Sequence, residues 1–174
     1  MEVRLEGSIV LYEDKKRVAW VDFTAKWNEI ELLATQVEKG MEGKGYAFQA
    51  VENALIFARA FDSIKISCPY IKRWIEENGF DKDVQYTRKL QFKEAVAKFN
   101  KYRSPEANAE ILEIGDDFAV VKITGPFCVS CGVFDYFEDI AIEANARVID
   151  HKEAEDGFIV RYGVGEQNFP RPQA

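Results

Sequence analysis

Apolar and polar residues alternate along the first part of the chain and then recur at helical spacing. Val3 to Tyr12 and Arg17 to Phe23 read as two strands joined by the turn Glu13-Asp14-Lys15-Lys16. Glu29 to Val37 reads as a third. From Gly45 to Phe61 the period changes: Phe48, Val51, Leu55 and Ala58 recur at spacings of three and four, which predicts an amphipathic helix. Ile64 to Ser67 is a short strand. Pro69 suits a first helical turn and Gly79 suits the position after Asn78, so a helix is expected between them, with Ile71 and Trp74 toward the core. Lys89 to Arg103 carries Phe92, Val96 and Phe99 on one stripe and reads as another helix.

Ser104-Pro105-Glu106-Ala107-Asn108 has the composition of a linker. Beyond it the pattern is strand, strand, helix, strand, strand. Glu110 to Ile114 and Phe118 to Ile123 flank a Gly115-Asp116-Asp117 turn, and Ser130 to Ala144 is helical. Arg147 to His151 and Phe158 to Tyr162 flank Glu155-Asp156-Gly157, a hairpin signal. The reading is an α+β protein with a first domain over 1–103, a small ββαββ domain over 109–165 and a tail over 166–174 that carries two prolines. The second domain is near the lower size limit for an independent core.

Charge sharpens this division. Residues 1–103 hold 18 Lys and Arg against 16 Asp and Glu, whereas residues 104–174 hold 5 against 14. Such an acidic second half argues against nucleic acid as a partner, because phosphate neutralisation needs clustered Lys and Arg. The chain has no apolar run long enough to span a membrane and no signal-peptide pattern at its start, so the expectation is a cytoplasmic protein without a membrane partner.

The candidate chemistry begins at Gly40-Met41-Glu42-Gly43-Lys44-Gly45-Tyr46-Ala47, between the third strand and the first helix. A glycine-rich turn at a helix start exposes backbone N–H groups to an anion, and Gly43 and Gly45 permit close approach. Lys44 adds a side-chain charge. The turn fits neither the Gly-x4-Gly-Lys-Ser/Thr phosphate loop nor Gly-x-Gly-x-x-Gly, since Tyr46 and Phe48 stand at the deciding positions. Taken alone, it is also compatible with a tight turn that holds no ligand.

Three blocks read together are more specific: Leu32-Leu33-Ala34-Thr35-Gln36-Val37, Glu42-Gly43-Lys44-Gly45-Tyr46-Ala47, and Ile64 to Asn78 with its Cys68-Pro69-Tyr70-Ile71. With matching spacing over about residues 4–80, they resemble the short single-domain members of the GNAT N-acetyltransferase superfamily. The resemblance implies a mixed sheet with helices and an acetyl-CoA cofactor. It places that cofactor against Gln36, Val37, Gly43, Lys44, Gly45, Tyr46 and Ala47. Two positions depart from the family pattern: Ala34 replaces its His, and Glu42 replaces the Arg that opens its pyrophosphate loop.

Acetyl transfer to an amine needs a base for the acceptor, polarisation of the thioester carbonyl and a proton for the leaving thiolate. Strand alternation points Glu29, Glu31, Leu33 and Thr35 to one side, and Glu31 becomes the candidate base, or else one residue of a solvated strand face. By the resemblance, Cys68 faces the thioester as nucleophile or proton donor; otherwise it is a small buried apolar residue.

Cys128-Val129-Ser130-Cys131 lies between a strand and a helix start, where a thiolate is favoured. Buried thiols or a disulfide, a redox-active dithiol, and a metal site completed across two chains remain open; His151 and Cys68 lie in other segments, and no metal is expected within one chain. The functional expectation is an acetyl-CoA-dependent N-acyltransferase acting on a small-molecule or protein amine. The alternative is a non-catalytic CoA- or anion-binding protein with a redox-sensing or interaction module at its C-terminal end.

Overall fold

The computed structural model describes residues 3–126 and 132–164. The chain divides into two compact units, Met1–Leu90 and Gln91–Ala174.

The first unit is a five-stranded mixed sheet in the order β1-β2-β3-β4-β5. Its strands are β1 (Leu5–Glu13), β2 (Lys16–Lys26), β3 (Glu29–Val37), β4 (Ser63–Ile66) and β5 (Gln85–Tyr86). The first three form an antiparallel meander, while β3, β4 and β5 run parallel. Parallel neighbours need crossover connections, and helices α1 (Tyr46–Ala58) and α2 (Pro69–Asn78) supply them. On β2, Ala19, Val21, Phe23 and Ala25 alternate inward, and α1 buries Ala50, Val51, Ala54, Leu55 and Ala58 in the same core. Ile71 of α2 joins them with no exposure. The apolar stripe expected on α1 is only partly buried: Phe48 is 41% exposed and packs on Trp74 instead, ring centroids 5.3 Å apart. Strand β5 is two residues long, too short for any alternation to announce it.

Helix α3 (Arg88–Arg103) begins in the first unit and continues into the second. The linker composition predicts a first domain that ends at 103, yet Phe92, Ala95, Val96 and Phe99 belong to the second core. Ser104 and Pro105 mark where the helix stops, and that signal does not report which core its apolar stripe enters. The rest of the second unit is β6 (Asn108–Ile114), β7 (Phe118–Thr124), α4 (Val133–Glu143), β8 (Ala146–Ala154) and β9 (Gly157–Val164). Its four strands form an antiparallel sheet in the order β6-β7-β9-β8. Phe137, Ile140, Val160 and Tyr162 are almost fully buried in its core. The β8–β9 hairpin depends on Gly157, whose φ is +157° and where a Cβ would stand 2.0 Å from the Ile123 carbonyl oxygen.

Among the described residues no helix is long and apolar enough to cross a membrane.

Candidate active site

The site is set by the place where β3 and β4 stop pairing. Their parallel ladder runs from Glu29 opposite Ser63 to Leu32 opposite Ile66, and the Ser67 amide then donates to the Leu32 carbonyl over 2.9 Å. Beyond that point β3 continues to Val37 alongside β2, while the other chain turns into α2.

A bulge decides which β3 side chains face this junction. Phe23 of β2 sits opposite Leu32 and Asp22 opposite Ala34, so Leu33 is the additional residue of β3 in this register. The extra residue reverses the alternation. Ile30 and Leu32 face the core before it; after it, Thr35 lies opposite the buried Val21, and Val37 opposite the buried Ala19. The expectation that Glu29, Glu31, Leu33 and Thr35 share one side is therefore corrected: Glu31 and Thr35 are on opposite faces of the sheet.

On β4, Ile64 and Ile66 point into the same core, and Cys68 continues their direction in extended conformation (φ −109°, ψ 121°). The result is a contact that neither strand's own pattern announces. The Cys68 thiol and the Thr35 hydroxyl lie 3.5 Å apart within hydrogen-bonding reach, with Cys68 5% exposed. Cys68 is also the N-cap of α2, with Pro69 in its first turn and the Lys72 amide donating to the Cys68 carbonyl over 3.1 Å.

The glycine-rich turn leads into α1. Gly40, Gly43 and Gly45 have φ of +83°, +76° and +81°, which L side chains resist. Apart from the glycines themselves and the residues on either side, no atom lies within 4 Å of where their Cβ atoms would be, so these positions face open space. Gly45 caps α1 without a side-chain hydrogen bond. The Glu42 carboxylate folds back to accept the Gly40 amide over 2.8 Å, and the Lys44 ammonium lies 3.5 Å from the Met41 sulfur. The Tyr46 hydroxyl donates to Glu13, and that bond to a carboxylate holds its pKa above the usual tyrosine value. Gln36 donates its side-chain amide to Asp22 over 2.6 Å, on the face away from the core, whereas Val37 packs against the core.

Glu31 stands on the other face from Cys68, held by Lys89 and Ser67. Lys89 donates to both of its oxygens at 2.9 and 3.2 Å, and Ser67 donates to one of them at 2.5 Å. The Ser67 and Thr87 hydroxyls lie 2.6 Å apart, and Thr87 in turn accepts the Leu90 amide in the first turn of α3. Ser67 is wholly buried.

The structure thus brings Cys68 together with Thr35, and Glu31 together with Ser67, Thr87 and Lys89. Thr35, Ser67, Thr87 and Lys89 were not candidates on sequence. Thr35 is masked by the bulge, and Lys89 is 58 positions from its partner. Cys128 and Cys131 lie outside the described residues. His151 packs edge-on to Phe134, with ring centroids 5.1 Å apart, and near Phe137 at 5.5 Å. Among the described residues no group of His, Cys, Asp and Glu could hold a metal ion.

Chemically, this is a glycine turn at a helix start beside a strand that outruns its parallel neighbour, with a thiol at the end of that neighbour. Searches among curated proteins and among solved structures give no match. Residues 8–84, which contain the whole arrangement except Thr87 and Lys89, match the model of the family described as GCN5-related N-acetyl-transferase. Over that segment the chain is similar to a family of acyl transferases whose domains generally bind acetyl-CoA.

Proposed function

We propose that the chain is an acetyl-CoA-dependent N-acyltransferase acting on an amine. The observation that carries this reading is the Thr35–Cys68 pair at the point where β3 and β4 stop pairing, beside a glycine turn that opens onto a helix start. The pyrophosphate of acetyl-CoA sits on the N–H groups of residues 43–47, where the positive end of α1 attracts it. The pantetheine arm runs along β3 at Gln36 and Val37, beyond the last residue paired with β4. Its thioester then comes to Cys68.

The amine nitrogen attacks the thioester carbonyl carbon, and the carbon–sulfur bond breaks. The departing CoA thiolate takes the Cys68 proton, and the acceptor's proton passes to water, which returns one to the thiol. We assign the base to water because both oxygens of Glu31 are engaged by Lys89, on the face opposite Cys68. In a covalent variant of the same site, the Cys68 thiolate takes the acetyl group first, CoA leaves as its thiol, and the amine then attacks the acetyl-cysteine.

The test is turnover of acetyl-CoA with a panel of polyamine, aminoglycoside and lysine-peptide acceptors. Cys68→Ala should retain acetyl-CoA affinity and lose turnover; equal turnover would reduce Cys68 to packing. Mass spectrometry after incubation with acetyl-CoA alone separates the two chemistries, since only a nucleophile keeps an acetyl group.

One observation favours a second reading, a CoA or anion binder without catalysis. Glu42 puts a carboxylate on the Gly40 amide, inside the turn that would receive a pyrophosphate. Binding of acetyl-CoA with no turnover on any acceptor would select this reading.

A further inference from the structure

Ser67 is the one fully buried polar side chain among the described residues of the first unit, and it directly precedes Cys68. Its hydroxyl lies between the Glu31 carboxylate and the Thr87 hydroxyl. Glu31 is in turn clamped by Lys89, both side chains being less than one-fifth exposed. The four residues come from β3, from the residue after β4, from the residue after β5 and from the first turn of α3. All four converge where the β3–β4 ladder ends. Main-chain bonds reinforce the same point: Ser67 donates to Leu32 at 2.9 Å, and Thr87 to Ile66 at 3.1 Å.

An ion pair of this kind is a poor source of stability, because desolvating both charges offsets their attraction. What it does supply is geometry: breaking one partner leaves a partly buried charge without its mate. We propose that Glu31, Ser67, Thr87 and Lys89 form a latch that fixes the β4–α2 junction and so holds the Cys68 thiol against Thr35. They are positioning residues and act through Cys68. The inference takes the importance of Cys68 from the acyltransferase reading, but its first readout does not depend on that reading.

The polarity of the arrangement explains why it sits here. Cys68 belongs to the apolar face of the sheet, where dispersion contacts hold a side chain in place without fixing one direction for a thiol. On the opposite face, directional hydrogen bonds fix the backbone of the preceding residue. One peptide unit then transmits that placement through the sheet.

The experiment measures the rate at which iodoacetamide alkylates Cys68 in the full chain, followed on the Cys68 peptide by mass spectrometry so that other thiols do not contribute. Lys89→Met and Ser67→Ala should each raise that rate about tenfold, because the junction opens more often. A core control, Ile64→Val, destabilises the same strand without touching the latch and should leave the rate near that of the parent protein. If the latch variants alkylate no faster than this control, the proposal fails. The charge-exchanged double variant Glu31→Lys with Lys89→Glu should return the alkylation rate toward the parent value, while either single exchange should not. Where acetyl transfer is measurable, kcat should follow the same order and recover in the double variant. Slow alkylation with no recovery of kcat in the double variant would overturn positioning as the role of Glu31. Absence of acetyl transfer in the parent protein would count against the acyltransferase reading and leave the alkylation comparison decisive for the latch.

Discussion

The Cys68 sulfur and the Thr35 hydroxyl oxygen meet at 3.5 Å because β3 contains one residue more than its pairing with β2 requires. Without the bulge at Leu33, Thr35 would project to the other face, and Ala34 would be in its place beside the thiol. The contact between a hydroxyl and a thiol on two neighbouring strands is therefore a product of register.

Thr35→Val tests what that hydroxyl contributes. The β-branched shape is kept, so packing against Val21 changes little, and only the bond to sulfur is lost. Stability should fall by about 1 kcal/mol or less. Acetyl-CoA affinity by calorimetry should remain within twofold, while kcat falls about tenfold, since one oriented hydrogen bond is of order 1.4 kcal/mol in a rate. A variant with parental kcat would mean that Thr35 merely fills space.

Much of the first unit was legible in its alternation. Five of its elements follow from the period changing from two to 3.6 and back, and the glycine turn from the cluster Gly40, Gly43 and Gly45. The pairing of Glu31 with Lys89 was not legible, because nothing local ties a strand residue to a helix 58 positions later. Thr35 was misplaced because a bulge leaves no mark in a stretch such as Leu32-Leu33-Ala34-Thr35, where every residue suits either face. The extent of the second core was missed for a related reason: Phe92 and Phe99 show that α3 has an apolar stripe without naming the sheet it covers.

The turn before α1 makes a charge prediction. Glu42 holds the Gly40 amide, so its carboxylate is tied into the turn that leads to residues 43–47. Glu42→Arg removes a negative charge and adds a positive one near any bound pyrophosphate. Acetyl-CoA should bind about tenfold more tightly at low salt, and the gain should shrink as ionic strength rises. Gly45→Val should abolish binding through a branched side chain in the anion's path, and its φ of +81° adds about 1–2 kcal/mol of backbone strain. Calorimetry at two salt concentrations checks both; unchanged affinity in Glu42→Arg would remove the pyrophosphate from this turn.

In the second unit, Gly157 is required by contact as well as by backbone angle. A Cβ there would stand 2.0 Å from the Ile123 carbonyl oxygen and 3.0 Å from the Thr124 Cα, both main-chain atoms that cannot swing aside. Gly157→Ala should therefore destabilise the β7–β9 pairing by about 1–3 kcal/mol. Amide exchange should accelerate in β7 and β9 before it does in β2 and β3. Equal acceleration in all four strands would mean that the two cores unfold as one.

Tyr162 gives the clearest dependence on pH. Its ring is fully buried beside Phe92, and its hydroxyl has no hydrogen-bond partner among the described residues. Burial, and secondarily the negative charge of Asp139, raise its pKa far above the ordinary tyrosine value of 10.0. The unfolded chain thus loses this proton first as pH rises. Stability is fully present below pH 10 and declines above it, since the unfolded state is the one that ionises. Tyr162→Phe removes both the unsatisfied hydroxyl and the titration. At pH 7 the variant should be more stable by about 1 kcal/mol, because a buried donor without a partner costs at least that much. Denaturant unfolding of both proteins at pH 7, 9 and 10.5 isolates the effect, and the variant's advantage should widen at the highest pH. A variant less stable than the parent at pH 7 would show that the hydroxyl is satisfied after all, by water reaching it through the packing of α3 and α4.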